Sequence, residues 1–298
     1  MPKSITPSIL PPKSNTAFQL LFGDPRNIAL LADFLKAVLD IPDEEYKNIV
    51  IVNPYLPRTY PDRKLGIVDL RVTTRSGQII HIEIQREPFF AMRNRIVFYD
   101  SSLITGQIGE SQEYDKLKRV ISILITDYRL IAESPLYHHR FTLYDQRAEV
   151  EFTDLIEIHT LELTKIPEIP DVYLWHWLRF FRAETKEELN MVAKASPAIQ
   201  KATATVLKMS KDERARLIHE YEVKAKRDER ARLTYAMEKG VAQGRTEGRT
   251  EGVAQGRTEG RTEERFAIAQ HLLNMKMPLA KIAEATGLSH DEIKKLAH

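Results

Sequence analysis

Apolar residues change their spacing several times along the chain, and each change marks an expected element. Residues 1–13 hold four prolines and read as a proline-broken arm. In residues 18–39, Leu20, Leu21, Ile28, Leu31, Phe34, Leu35, Val38 and Leu39 recur at helical intervals. Asp24-Pro25 lies inside this window. An acidic cap followed by proline at the first helical position predicts that the main helix starts at Asp24, and Ile41-Pro42 ends it. The period then shortens. Residues 49–52 are a short β-branched run, and residues 67–74 and 78–86 alternate with period two. Arg75-Ser76-Gly77 between them predicts a tight hairpin. Residues 91–109 return to helical spacing. Residues 119–126 (RVISILIT) are almost continuously apolar, as a strand buried on both faces must be. Residues 139–144 and 150–163 are further strand candidates. This order of elements predicts a mixed α/β domain ending near residue 165.

After Pro170 the chain reads as helical. Residues 171–182 carry Trp175, Trp177, Phe180 and Phe181, expected to pack back on the sheet, and residues 186–239 are rich in strong helix formers. Residues 241–252 (VAQGRTEGRTEG) and 253–264 (VAQGRTEGRTEE) repeat, and six of the 12 glycines, Gly240 to Gly260, fall four apart. A lone helix here would lose about 1 kcal/mol per glycine against alanine. The repeat therefore reads as a marginally stable spacer, with a helix that pairs with a second copy through close glycine contact as the alternative. Residues 263–298 hold two or three short helices, the first at 266–273. Pro278 and Gly287 punctuate the second, and Ser289 with Glu292 forms a capping box on the third. Residues 282–296 (IAEATGLSHDEIKKL) are reminiscent of a helix-turn-helix. Lys294 and Lys295 are the third helix's basic side chains, thin for reading a groove, so a small helical packing or oligomerisation unit is expected.

Composition narrows the class. The 298 residues are 43% hydrophobic and 29% charged, so a folded chain with a proper core is expected. Net charge is only +2, which rules out a uniformly basic nucleic-acid coat; residues 1–200 carry 24 basic and 27 acidic side chains, and the tail is mildly basic. The absence of cysteine excludes a disulfide scaffold, a zinc ribbon, an iron–sulfur site and a thiol nucleophile. No apolar run is long enough for a membrane span, and residues 1–13 do not read as a signal peptide; a cytoplasmic, soluble protein without a membrane partner is the expectation.

Phosphate-loop, nucleophile-elbow, H-E-x-x-H and G-x-G-x-x-G patterns are all missing. His138-His139 are neighbours that would point to opposite faces of a strand, a poor metal pair. The hairpin is the remaining candidate. Ile80, Ile82 and Ile84 share one face of the second strand, and His81, Glu83 and Gln85 share the other. In the first strand Val68, Leu70 and Val72 oppose Asp69, Arg71 and Thr73. Pairing could bring Asp69 near Glu83 and Gln85, an oxygen-rich arrangement of the kind Mg²⁺ or Mn²⁺ prefers. An amphipathic hairpin with one solvated face also collects such residues, so spacing leaves both readings open.

Residues 66–85, G-I-V-D-L-R-V-x₅-Q-I-I-H-I-E-I-Q, resemble motifs II and III of the PD-(D/E)XK nuclease superfamily. The flanks FQLLFGDPRNIALLADFLKAVL and RIVFYDSSLITGQIGESQEYDKLKRVISILI, with the E-G-R-type tail, resemble the recombination-promoting nuclease and transposase family. The resemblance implies a PD-(D/E)XK nuclease-like core, a mixed sheet flanked by helices, followed by an all-helical C-terminal tail. The expected segments are an arm at 1–14, the nuclease-like domain at 15–170, a helical region at 171–239, the glycine repeat at 240–264 and a small helical segment at 265–298. It also implies a Mg²⁺- or Mn²⁺-dependent endonuclease on double-stranded DNA, linked to recombination or mobile elements. Asp69, Glu83 and the Ile84 carbonyl would hold the metal, and Gln85 would stand where the superfamily usually has lysine. Glutamine can orient a water but carries no charge. Pro61-Asp62 is the literal PD pair, but Asp69 is preferred because it alternates onto the polar face. Arg93, Arg95, Tyr99 and Gln107 could contact phosphates or hold the metal ligands in place. Asp24 could add a carboxylate, although helix capping already accounts for it. The alternative is a weak or inactive DNA-binding or assembly protein on the same fold, and the tail leaves room for a homodimer.

Overall fold

In the computed structural model, which describes residues 9–52, 70–109 and 113–296, Ser14 caps the first helix, α1 (Asn15–Phe22), by accepting from the Ala17 amide. Gly23 ends α1, Asp24 caps a short 3-10 turn (Pro25–Asn27), and α2 follows (Ile28–Val38). The main helix starts where expected, with Asp24 as cap and Pro25 in the first turn, and the apolar window before it holds a separate helix that ends at Gly23. The Asp24 carboxylate accepts from the Arg26 amide at 2.9 Å and pairs with the Arg26 guanidinium, closing the turn locally. Pro25 lacks the N–H that would continue α1. This engagement also accounts for Asp24 without any catalytic duty. The described end of the arm is anchored, with Ile9 and Leu10 buried and the Leu10 amide donating to Ser210 Oγ at 2.8 Å.

Six described strands form one mixed sheet: β1 (Val50–Val52), β2 (Leu70–Thr73), β3 (Ile79–Gln85), β4 (Val120–Thr126), β5 (His138–Asp145) and β6 (Val150–Glu162). Their order is β1-β2-β3-β4-β6-β5. The predicted hairpin forms, with Leu70 opposite Ile82 and Val72 opposite Ile80; Gly77 takes φ +92°, which side-chain-bearing residues rarely adopt. β3 and β4 run parallel because α3 (Met92–Thr105) crosses over between them, and β4 and β6 are parallel too.

Helices cover both faces of the sheet's centre, so every residue of β4 is buried. On one face Ile80, Ile82, Ile84, Ile121, Ile123 and Ile125 join a core that includes Phe22, Phe34, Trp177 and Phe181. The rings interlock with tilted and edge-on geometry, Phe34 and Phe181 lying 5.3 Å apart between centroids. Trp177 and Phe181 belong to α4 (Tyr173–Arg182); α5 (Lys186–Val192) and α6 (Pro197–Met209) add Leu189, Ile199 and Val206 to the same cluster. On the other face α3 packs Met92 and Ile96 against Leu124.

By its contacts the chain divides into two units, Met1–Val223 and Lys224–His298. The helix α7 (Glu213–Asn274) continues through the whole glycine repeat and includes residues 266–273, expected as a separate short helix. At each of the six repeat glycines, apart from the adjoining backbone of the helix itself, no atom among the described residues lies within 4 Å of where a Cβ would stand. In the second unit, Ala269, Ile282, Leu288 and Ile293 form a small core joining the end of α7 to α8 (Leu279–Thr286) and α9 (His290–Lys295). Gly287 ends α8 at φ +66°, and Ser289 and Glu292 form the predicted capping box.

Candidate functional site

The site grows from the alternation of β3. Apolar residues at positions 80, 82 and 84 are drawn to the large core, which turns His81 and Glu83 to the face beneath α3. Both are almost fully buried: His81 is 0% and Glu83 2% exposed. A buried carboxylate needs a compensating cation, and α3 supplies one. Arg95 Nη2 lies 2.9 Å from Glu83 Oε1. The guanidinium is itself held: Nε donates to the Tyr99 hydroxyl at 3.2 Å, and the cation sits 5.2 Å from the Tyr99 ring and 5.4 Å from the Phe89 ring. Arg95 and Tyr99 are one helical turn apart, so they share a face of α3. Tyr128, just beyond β4, lies in the same field. Burial first, and then the Glu83 charge, pushes its phenol above the ordinary value.

The other expected residues fare differently. Gln85 is half-buried and donates from Nε2 to the Glu87 carbonyl at 3.2 Å. Ile84 pairs with Ile125 across β3 and β4. Arg93 ties α3 to the loop after β4, donating to the Leu130 carbonyl at 2.8 Å and pairing with Glu133 at 2.9 Å. Gln107 accepts from the Lys118 amide at 2.6 Å and donates to the Lys118 carbonyl at 2.9 Å. Arg93 and Gln107 thus secure the chain around α3, whereas Arg95 meets Glu83 and Tyr99 holds Arg95. Asp69 and the alternative Asp62 lie outside the described residues. Among the described residues, no three His, Asp or Glu side chains are grouped to hold a metal ion.

Two buried polar groups escaped the sequence reading. The first continues the Glu83 site. β3 and β4 pair His81 with Ser122, and Asp100 of α3 lies over them. Ser122 Oγ donates to Asp100 Oδ1, and His81 Nδ1 lies 3.1 Å from Ser122 Oγ. The signals were present but faint: Ser122 interrupts an apolar strand, and Asp100 stands one turn beyond Ile96 on the inner face of α3. The second group lies on the opposite face, where β6 brings Glu157 and His159 beside Ile121 and Ile123. Glu157 pairs with Arg119 and with Arg140, whose Nη2 is 2.6 Å away; His159 Nε2 is 2.7 Å from Glu157, and His159 Nδ1 is 2.8 Å from His138 Nε2. Burial pushes the Glu157 carboxyl up, but hydrogen bonds from His159 and Arg140 and the charge of Arg119 outweigh it and hold the value at about 2. Burial, then the neighbouring histidines, lowers His138 to about 4. His138 and His139 face opposite sides of the sheet, as alternation requires, with His139 beside Thr160.

Among the described residues no helix is long and apolar enough to cross a membrane. No curated protein and no solved structure shows a significant match to the chain. The sequence model of the Rpn/YhgA-like nuclease family C-terminal HTH domain matches residues 262–298. That match revises the expectation of a mere packing or oligomerisation unit: two short helices joined by a left-handed glycine suit a helix-turn-helix, and the paucity of basic residues was a poor guide to its class. The sequence model described as PD-(D/E)XK nuclease family transposase matches residues 12–236, which take in the mixed sheet, its flanking helices and the Glu83 site. Spanning well over half of its length, that match shows that the chain belongs to the PD-(D/E)XK nuclease family transposases.

Proposed function

We propose that this chain is a divalent-metal-dependent DNA endonuclease of recombination or mobile elements, acting at the Glu83 site. The observation that carries the reading is a carboxylate 2% exposed, paired with an arginine 2.9 Å away, on the second strand of the hairpin. Holding a buried carboxylate within the sheet costs stability, and such costs are kept where charge has work to do. Leu70 pairs with Ile82, and Asp69 and Glu83 are their respective neighbours in the sequence. We assign Asp69, Glu83 and the Ile84 carbonyl to the cation. Hard oxygen donors suit Mg²⁺ or Mn²⁺ rather than a softer metal. Such an ion acidifies water and neutralises charge on a phosphodiester undergoing in-line attack. Arg95 pairs with Glu83, Tyr99 and Phe89 keep Arg95 in position, and Gln85 offers an amide to orient water. The helix-turn-helix unit would bring double-stranded DNA to the chain. Nothing in this reading requires a homodimer through the helical tail.

A second reading is favoured by Gln85. Its amide is uncharged and already donates to the Glu87 carbonyl, so the cationic group that lysine would supply is missing from that position. On that reading the chain binds or assembles on DNA with little or no cleavage. Plasmid nicking with Mg²⁺ or Mn²⁺ separates the two. We expect nicking by the unaltered chain and its loss in Asp69→Ala and Glu83→Ala with the fold retained by circular dichroism. Cleavage unchanged in both variants would remove the site assignment; no cleavage alongside intact DNA binding would favour the second reading.

A further inference from the structure

We propose that a basic groove between α6, the start of α7 and the 3-10 turn after α1 is a further track for the DNA backbone, sharing no residue with the Glu83 site. The inference rests on the reading of double-stranded DNA as this chain's partner. The groove follows from the two faces of α6. Ile199, Ala202 and Val206 are buried in the large core, which turns Lys201, Ala204 and Lys208 outward. Lys211 follows α6, and Arg214 lies in the first turn of α7; both line the same opening, and Arg26 of the 3-10 turn borders it. The opening encloses about 960 Å³, and every residue that lines it belongs to the first unit.

Charge decides what the groove can hold. Five cationic side chains line it against two carboxylates, in a chain whose net charge is only +2. Both carboxylates are engaged locally. Asp24 pairs with Arg26, and Asp212 Oδ1 accepts from the Ala215 amide at 2.8 Å. Lys201, Lys208, Lys211 and Arg214 are exposed and form no ion pair among the described residues. A cleft lined by one sign of charge focuses its field and gathers the opposite charge. These cations are strung along the groove, so they match a row of charges better than a single small anion. On α6, Lys201 and Lys208 stand seven residues apart, a rise of about 10 Å. That equals about three steps of one DNA strand at about 3.4 Å each. Contacts of this kind hold and orient a duplex without reading its sequence.

Anisotropy titration of a short labelled duplex with the full chain, without divalent metal and between about 50 and 200 mM salt, tests this. The groove variant combines Lys201→Gln, Lys208→Gln and Lys211→Gln, glutamine being a good helix former. A control variant combines Lys47→Gln, Lys116→Gln and Lys186→Gln, which changes the net charge equally at exposed positions outside the groove. Each phosphate contact contributes about 0.9 to the slope of log K against log salt, so the groove variant should bind more weakly with a slope shallower by about 3, whatever the duplex sequence. The control should keep the slope of the unaltered chain. If circular dichroism shows the groove variant unfolded, Lys201→Gln alone should lower the slope by about 0.9. An unchanged slope in the folded groove variant would overturn the proposal and leave the groove to an acidic protein surface. Equal losses in the groove and control variants would also overturn it, because net charge alone would then account for the effect. No DNA binding by the unaltered chain would overturn the DNA reading together with the inference. Plasmid nicking by Glu83→Ala decides the metal assignment independently.

Discussion

The Glu83–Arg95 pair can be measured through a double-mutant cycle. Glu83 has a side chain 3% exposed and Arg95 one 28% exposed, so the two ends of the pair respond unequally to loss of the other. Arg95→Met keeps the apolar stem over Phe89 and Tyr99 but removes the guanidinium that balances a buried carboxylate. Breaking a buried pair in this way costs about 3–5 kcal/mol, and partial access of water to Arg95 puts the figure near the lower end. Glu83→Gln is milder. Its amide oxygen still accepts from Arg95, and the arginine can turn toward water, so about 1 kcal/mol is expected. Removing both groups leaves neither charge to desolvate, and the double variant should be about 2 kcal/mol less destabilised than the sum of the singles. Urea unfolding of the full chain, followed by the fluorescence of the buried Trp175 and Trp177, measures all four corners. Additivity within about 0.5 kcal/mol would refute the argument that Arg95 compensates the buried Glu83 carboxylate.

Three other outcomes follow from the geometry. His138 is lowered to about 4, so the folded chain binds fewer protons than the unfolded one between the ordinary value of 6.5 and that point; stability should fall by about 2–3 kcal/mol as pH drops through this window. His138→Gln should flatten that decline in urea midpoints taken between pH 7 and pH 4, and an identical slope in both proteins would contradict it. Glu157 adds a separate loss at lower pH, because stability from a carboxyl held at about 2 is present above 4.5 and disappears as that lower value is approached. It should appear as a steeper acid limb that Glu157→Gln removes. Gly248→Ala meets nothing within 4 Å among the described residues and should strengthen the helix by about 1 kcal/mol, read as increased ellipticity at 222 nm on heating; a decrease would show that the repeat packs closely against another surface.

Much of the site was legible because its causes are local. Period-two alternation is a property of a few adjacent residues, and it turned His81 and Glu83 to one face of β3 and the isoleucines to the other. The almost continuous apolar run of β4 likewise announced helices on both sides; Arg95 and Tyr99 were candidates for phosphate contact or for holding the metal ligands, and their spacing of one turn puts them on one face of α3. The helix start at Asp24 was legible because a cap and a proline are local signals, although they do not say that the first turn is 3-10. The small C-terminal unit was undervalued because charge count says little about how short helices are arranged.

What sequence patterns settled were the faces of strands and helices, since backbone geometry repeats every two or 3.6 residues. What they left open was which faces meet. The parallel register that sets His81 beside Ser122, and the crossover that lays Asp100 and Arg95 over them, join residues up to 41 positions apart. Those contacts arise when the isoleucines of β3 and β4 are buried against the helices on one side, leaving their polar neighbours to find partners on the other. The charge balance of Glu83 is therefore a product of packing, and no local period encodes it.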